Sequence, residues 1–218
     1  MESKESNNIE KDSEPIKIIL IGDSGTGKTN LITVSAGYEF NSNALTTRAC
    51  SFIQKTFIKN NKEVKVNIWD TIGQEKYRSL TKIFVKESKI VIFVYDITNK
   101  KTFESLTFWK ETINELLQDE PILGIVGNKM DLYVNEQISE EELEKFSKDI
   151  GAKYLLTSAK TDSTSFTKFI DELLDDFLKK IPEERIQSFS LDKKAVKKKK
   201  KICCYFLQYK NFYNITMI

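Results

Sequence analysis

Gly22-Asp23-Ser24-Gly25-Thr26-Gly27-Lys28-Thr29 gathers three glycines, a lysine and hydroxyls into one short run. That combination suits a polyphosphate. Glycines let the backbone curl close to an anion, so that successive N–H groups converge on it. Lys28 brings a positive charge toward the β- and γ-phosphates, and the Thr29 hydroxyl offers a hard oxygen to Mg²⁺. The run fits G-x-x-x-x-G-K-[ST], which works in this way. Ser24, Gly25, Thr26, Gly27, Lys28 and Thr29 are therefore the candidate phosphate-binding residues. The motif needs a strand before it and a helix after it. Ile16–Ile21 is an apolar, β-branched strand pattern, and Asn30–Val34 can start a helix. The helix N-terminus adds its partial positive charge.

Phosphates alone do not choose a purine; two later motifs can. Asn128-Lys129-Met130-Asp131 follows the apolar run Ile122–Val126. A carboxylate at Asp131 can accept hydrogen bonds from guanine N1–H and the 2-amino group. Adenine offers no such pair and would leave the carboxylate without partners. The Lys129 stem can lie over the base, and Asn128 can tie loops together. Thr157-Ser158-Ala159-Lys160 follows another strand pattern and can present the Ala159 N–H to guanine O6. Asp70-Thr71-Ile72-Gly73-Gln74-Glu75 ends the alternating strand Val64–Trp69. There Asp70 can face Mg²⁺ through water, the Gly73 N–H can meet the γ-phosphate, and Gln74 can orient a water for attack. Taken singly, these later motifs are weak. In order behind the phosphate loop, each after its own strand, they are specific.

The elements that must position these residues are legible too. Strand patterns fall at about 16–22, 50–59, 62–69, 89–95, 122–127 and 153–157, and helical ones near 28–36, 75–87, 102–118, 139–150 and 163–180. Ile90–Tyr95 is continuously apolar, as a central parallel strand covered on both faces should be. Asn60-Asn61 reads as a hairpin turn. Ser139-Glu140-Glu141-Glu142 carries a capping-box pattern. Strands alternating with helices predict a doubly wound α/β domain that binds its ligand at the carboxyl ends of the strands.

Composition bounds the rest. The 218 residues carry a net charge of +2, yet seven lysines crowd positions 193–201, so the preceding body is acidic. That argues against nucleic acid as the partner of the folded part. Histidine is absent, so no imidazole serves as base or ligand. Three cysteines, Cys50, Cys203 and Cys204, are too few for a disulfide framework and fit a reducing cytosol. The polar N-terminus lacks the apolar core of a secretory signal. The expected organisation is an N-terminal extension over 1–14, a nucleotide-binding domain over 15–180 and a basic tail over 181–218.

At these motifs the chain resembles the Ras superfamily of small GTPases, and most of all its Rab branch. The resemblance covers about 16–180. It rests on G-D-S-G-T-G-K-T, W-D-T-I-G-Q-E, N-K-M-D and T-S-A-K, on Glu75–Thr81, on Val94-Tyr95-Asp96-Ile97-Thr98, and on Phe103 with Trp109. It implies a three-layer P-loop NTPase fold: a six-stranded, mostly parallel sheet flanked by about five helices. It also implies a monomeric GTP/GDP switch with Mg²⁺, slow intrinsic hydrolysis accelerated by an activating protein, and an exchange factor, effectors and a dissociation inhibitor or escort as partners. The expected place is the cytosolic face of an endomembrane, in vesicle traffic.

The resemblance also assigns residues. Thr47 takes the family's γ-phosphate- and Mg²⁺-sensing position, with Thr46 as its rival, so that Gln74, Lys28 and Thr47 form the catalytic set and Thr29, Thr47 and Asp70 the metal set. Phe40 falls where an aromatic edge meets guanine; a buried loop aromatic is the equal alternative. With Asn128, Lys129, Asp131, Ser158, Ala159 and Lys160 it completes the guanine set. Phe52, Trp69 and Phe84 match an aromatic cluster shown to effectors, with core packing as the alternative. Two departures bear on catalysis. Arg48, Ala49, Cys50 and Ser51 replace the usual first-switch residues, and Ile72 stands where relatives have a small alanine. A hydrolysis-impaired nucleotide-binding scaffold is thus the second reading. A P-loop ATPase or kinase, the third, is disfavoured by Asn128–Asp131. Finally, Cys203-Cys204 behind the lysine run resemble a prenylation site next to an anionic membrane surface. Fourteen more residues follow them, and a solvated tail or nuclear-type signal is the alternative for the lysines.

Overall fold

The computed structural model describes residues 14–42, 50–71, 83–182 and 190–192. Its strands are β1 (Ile16–Ile21), β2 (Ser51–Lys59), β3 (Lys62–Asp70), β4 (Ile90–Asp96), β5 (Ile122–Asn128), β6 (Lys153–Leu156) and β7 (Ser190–Asp192). The helices are α1 (Lys28–Ser35), α2 (Lys100–Leu116), α3 (Glu140–Ile150) and α4 (Ser165–Lys180), with a 3₁₀ helix over Met130–Asn135. Of the helix expected over 75–87, residues 83–87 are described: 83–85 are helical, and 86–87 form a turn.

The sheet runs in the order β2-β3-β1-β4-β5-β6. Only the β2–β3 hairpin in that path is antiparallel; β1, β3, β4, β5 and β6 pair in parallel. Asn60 and Asn61 close the hairpin at φ 49° and 61°. Two positive-φ residues in a two-residue loop make the turn whose twist suits paired strands. The six-stranded, mostly parallel α/β sheet is as the sequence predicts. Beyond it, β7 pairs with Lys62–Val64 of β3, so three residues of the expected tail add a seventh strand.

Alternation along the central strands builds two core layers. Ile18 and Leu20 of β1, with Ile92 and Val94 of β4, face α1 and α4 and meet Leu31, Phe166, Phe169, Ile170 and Leu173. Ile19 and Ile21, with Val91, Phe93 and Tyr95, face the other way toward Leu106, Trp109 and Ile113 of α2 and Leu143 of α3. A strand covered on both sides has no polar face, hence the unbroken apolar run of β4, buried throughout. Each large apolar side chain buried here contributes roughly 1.5–3 kcal/mol. The α4 stripe is the one the helical spacing predicts. At α3 the capping box is formed: Ser139 Oγ accepts from the Glu142 N–H, and Glu142 Oε2 accepts from the Ser139 N–H.

Helix α2 begins at Lys100, two residues earlier than the apolar pattern suggests. Thr102 lies in its first turn, where its hydroxyl donates to the Asn99 carbonyl and accepts from the Asp96 N–H. The 3₁₀ helix was not legible in the sequence. It follows Lys129, held at φ 73°, and leaves Leu132, Tyr133 and Val134 exposed. Among the described residues no helix is long and apolar enough to cross a membrane.

Candidate functional site: a phosphate loop joined to two base loops

The carboxyl ends of β1, β3, β4, β5 and β6 carry all the sequence-predicted motifs that lie within the described residues. Ser24–Gly27 connect β1 to α1, and Lys28 and Thr29 open the helix. Gly27 sits at φ 92°, a conformation natural to glycine. A Cβ there would lie 2.2 Å from Asn128 Nδ2. Loop and base motif are therefore in direct apposition, and only a glycine fits between them.

Asn128 uses both ends of its amide. Its Nδ2–H donates to the Thr26 carbonyl at 2.8 Å, and its Oδ1 accepts from the Ala159 N–H at 3.1 Å. One buried side chain thus clamps the phosphate loop, the N-K-x-D loop and the T-S-A-K loop together. Asp131 is oriented by the third of these: Ser158 Oγ–H donates to its Oδ1 at 2.6 Å, and Lys160 Nζ stands 3.7 Å from its Oδ2. Ser158 in turn accepts from the Lys160 and Thr161 N–H groups. Lys129 is fixed at its head, where Nζ pairs with Asp96 Oδ2 at 2.6 Å. Asp96, mostly buried, also accepts from Thr98 through its Oδ1.

Lys28 lies in the loop's interior. Its ammonium donates to the Gly22 and Asp23 carbonyls at 2.7 and 2.8 Å. Burial pushes its pKa down to about 8, against the opposing pull of Asp70 and Asp23. A nearby polyphosphate favours the charged form of such a lysine. Next to it, Thr29 Oγ1–H donates to Asp70 Oδ2 at 2.8 Å. A hydroxyl and a buried carboxylate side by side are hard oxygen donors of the kind Mg²⁺ takes, with water filling its other positions. The donor set fits that ion. Asp70 is placed by β3, and the next residue, Thr71, anchors the strand end by donating to the Leu20 carbonyl at 2.6 Å.

Phe40 is half buried and packs against the core layer of α1 and α4. Phe52, Trp69 and Phe84 form a continuous row of half-buried rings, with centroids 4.8 Å apart for the first pair and 5.8 Å for the second. Lys17 Nζ lies 4.8 Å from the Trp69 ring centroid. Thr46, Thr47, Arg48, Ala49, Ile72, Gly73, Gln74, Cys203 and Cys204 lie outside the described residues.

Sequence reasoning missed three positioning residues: Asp96, Thr71 and Trp109. Trp109 Nε1–H donates to Asp23 Oδ1 at 3.0 Å. Asp96 ends the apolar run of β4, and an acid at the carboxyl end of a central strand was the available signal.

The architecture agrees with the comparisons. A sequence model described as the Ras family matches residues 17–179. The chain is 35% identical over 179 residues to the Ras-related protein Rab-21 of Bos taurus, covering 82% of this chain and 77% of that one. It is 36% identical over 166 residues to the Ras-related protein SEC4 of Saccharomyces cerevisiae, covering 73% and 77%. To the Ras-related protein Rab-12 of Rattus norvegicus it is 35% identical over 174 residues, covering 79% and 71%. With its nucleotide motifs assembled at one end of the sheet, the chain belongs to the Ras family and is a Rab-like small GTPase of that superfamily.

Proposed function

We propose that this chain is a GTP/GDP switch of intracellular membrane traffic that hydrolyses GTP to GDP and phosphate. The observation that supports it most is the Asn128 clamp, which joins a phosphate loop to a carboxylate suited to guanine. A pocket built in this way recognises both ends of one guanosine polyphosphate.

Ser24–Thr29 hold the phosphates through backbone N–H groups and the Lys28 ammonium. Thr29 and Thr47, with Asp70 through water, would hold Mg²⁺, and the ion would supply positive charge to the phosphates. Gln74 orients a water toward the γ-phosphorus, while the Gly73 N–H stabilises the transferred group. The new bond joins water oxygen to phosphorus, and the bond to the GDP oxygen breaks. Without an arginine supplied in the site this reaction is slow, so an activating protein speeds it. Crowding by Ile72 near the γ-phosphate slows it further.

Ordering of residues around Thr47 and Gln74 by the γ-phosphate changes the surface next to Phe52, Trp69 and Phe84, which effectors read. An exchange factor reloads GTP. The lysines at 193–201, with lipid on Cys203 and Cys204, hold the protein on the cytosolic face of an endomembrane, and a dissociation inhibitor or escort extracts it.

The test is single-turnover hydrolysis of Mg²⁺-GTP by the native chain, Gln74→Leu and Ile72→Ala. The expected result is slow turnover in the native chain, at least a tenfold loss in Gln74→Leu and a faster rate in Ile72→Ala. Equal rates in all three remove the assigned roles. No turnover in any, even with an activating protein, leaves a nucleotide-binding scaffold in place of an enzyme.

A further inference from the structure

The phosphate loop carries a negative charge of its own. Asp23 lies between Gly22 and the residues that face the phosphates, and its carbonyl already accepts from Lys28 Nζ and Thr26 Oγ1. A carboxylate at that point repels the anion the loop is built to hold. Its side chain is instead engaged from outside the loop, where Trp109 Nε1–H donates to Asp23 Oδ1 at 3.0 Å across 86 residues of sequence.

Trp109 is only 1% exposed. It belongs to the core layer formed with Ile19, Ile21 and Phe93 and is fixed there by α2. An indole nitrogen can only donate, so its natural partner is an acceptor, and a carboxylate gives the stronger bond. A rigid donor on a helix therefore holds an anionic side chain of the loop against that helix.

We infer that Trp109 is a positioning residue for nucleotide binding: its indole N–H restrains the Asp23 carboxylate away from the bound phosphates and so governs how long the nucleotide stays. The inference rests on the guanosine-polyphosphate reading of the site. The restraint acts on the loop from the α2 side, while Asn128 holds it from the base side through the Thr26 carbonyl. Deleting the N–H frees a carboxylate beside the phosphates. Deleting the carboxylate as well removes both the repulsion and the need for a restraint.

The experiment is a double-mutant cycle read by release of a fluorescent N-methylanthraniloyl GDP, with Mg²⁺ present. Trp109→Phe keeps an aromatic ring in the core and deletes the donor. It is expected to speed release about tenfold, the scale of a lost hydrogen bond to a charged group. In an Asp23→Ala background the same Trp109→Phe change is expected to alter release by less than about twofold. A purely structural tryptophan gives the same factor in both backgrounds, and that result, or no effect in either, overturns the inference. Should Trp109→Phe not fold, Trp69→Phe identifies the Trp109 indole proton resonance in the native chain. Asp23→Ala must then move that resonance upfield and hasten its solvent exchange; an unmoved signal also overturns the inference. Failure of the native chain to bind the labelled GDP contradicts the nucleotide reading itself, a result distinguishable from the other outcomes.

Discussion

Asn128 and Thr26 stand 102 residues apart in sequence, and the amide of one donates to the carbonyl of the other at 2.8 Å. Gly27 beside Thr26 leaves room for that amide and for nothing larger. The contact ties the N-K-x-D loop to the G-x-x-x-x-G-K-T loop. In the proposed reading, affinity for one end of the nucleotide then depends on the other.

Breaking this joint is expected to loosen the whole nucleotide. Asn128→Ala removes the bond to Thr26 and the bond from Ala159, two buried contacts at once. At about 1 kcal/mol or more for each, GDP release is expected to rise at least 30-fold. Stopped-flow release of labelled GDP measures it. A change under threefold removes Asn128 from its clamping role.

The Lys129–Asp96 pair predicts a positional effect without direct ligand contact by the acid. Asp96→Ala leaves a half-buried ammonium with its carboxylate partner gone and frees the Thr98 N–H. Weaker GDP affinity is expected, by about tenfold, with GTP affected to the same degree because the change lies at the base end. Titration calorimetry with each nucleotide checks it. A loss confined to GTP contradicts the placement of Lys129 at the base.

Asp162 gives a dependence on acid. It accepts from the Thr164 and Ser165 N–H groups at the start of α4, and bonds from Ser165 first, then Thr164, hold its carboxyl at about 2 rather than 3.8. A group with a depressed native pKa stabilises the fold above its unfolded value, and that stability is lost as pH falls from about 4 toward 2. Asp162→Ala is expected to lower stability at neutral pH by about 1 kcal/mol and to flatten the acid limb. Urea unfolding across that range measures both. An acid limb unchanged by the substitution contradicts the assignment.

Close packing of β5 makes a stability prediction. A Cβ on Gly127 would lie 2.5 Å from Leu156 Cδ2 and 2.6 Å from the Tyr95 hydroxyl oxygen. Gly127→Ala is expected to destabilise the chain by about 1–3 kcal/mol through overpacking. Equilibrium unfolding settles it, and a neutral result means that β6 and Tyr95 yield more easily than the close packing implies.

What was legible in the sequence followed from local rules. The apolar run of β4, the stripe of α4, the Asn60-Asn61 turn and the capping box at Ser139 each write their geometry in adjacent residues. The phosphate and base motifs were legible for the same reason, since each is one short loop between a strand and a helix. What was not legible depends on partners brought together by the fold. Nothing near Trp109 announces Asp23, and nothing near Lys129 announces Asp96. The 3₁₀ helix over Met130–Asn135 was missed because Leu132-Tyr133-Val134 carries no helical polarity of its own. The strand at Ser190–Asp192 was missed because it is held by the free length of β3 beyond β1, a fact of topology and not of composition.

We propose a pocket that selects guanine through Asp131 while Lys28 and the glycine loop hold its phosphates. Displacement of labelled GDP from the native chain, with Mg²⁺ present, by unlabelled GTP and by ATP tests it most directly. GTP is expected to displace the label at concentrations at least about a thousandfold lower than ATP, the scale of selection by a site whose polar group the wrong ligand leaves without partners. Equal displacement by the two, or no binding of the labelled nucleotide at all, contradicts the account.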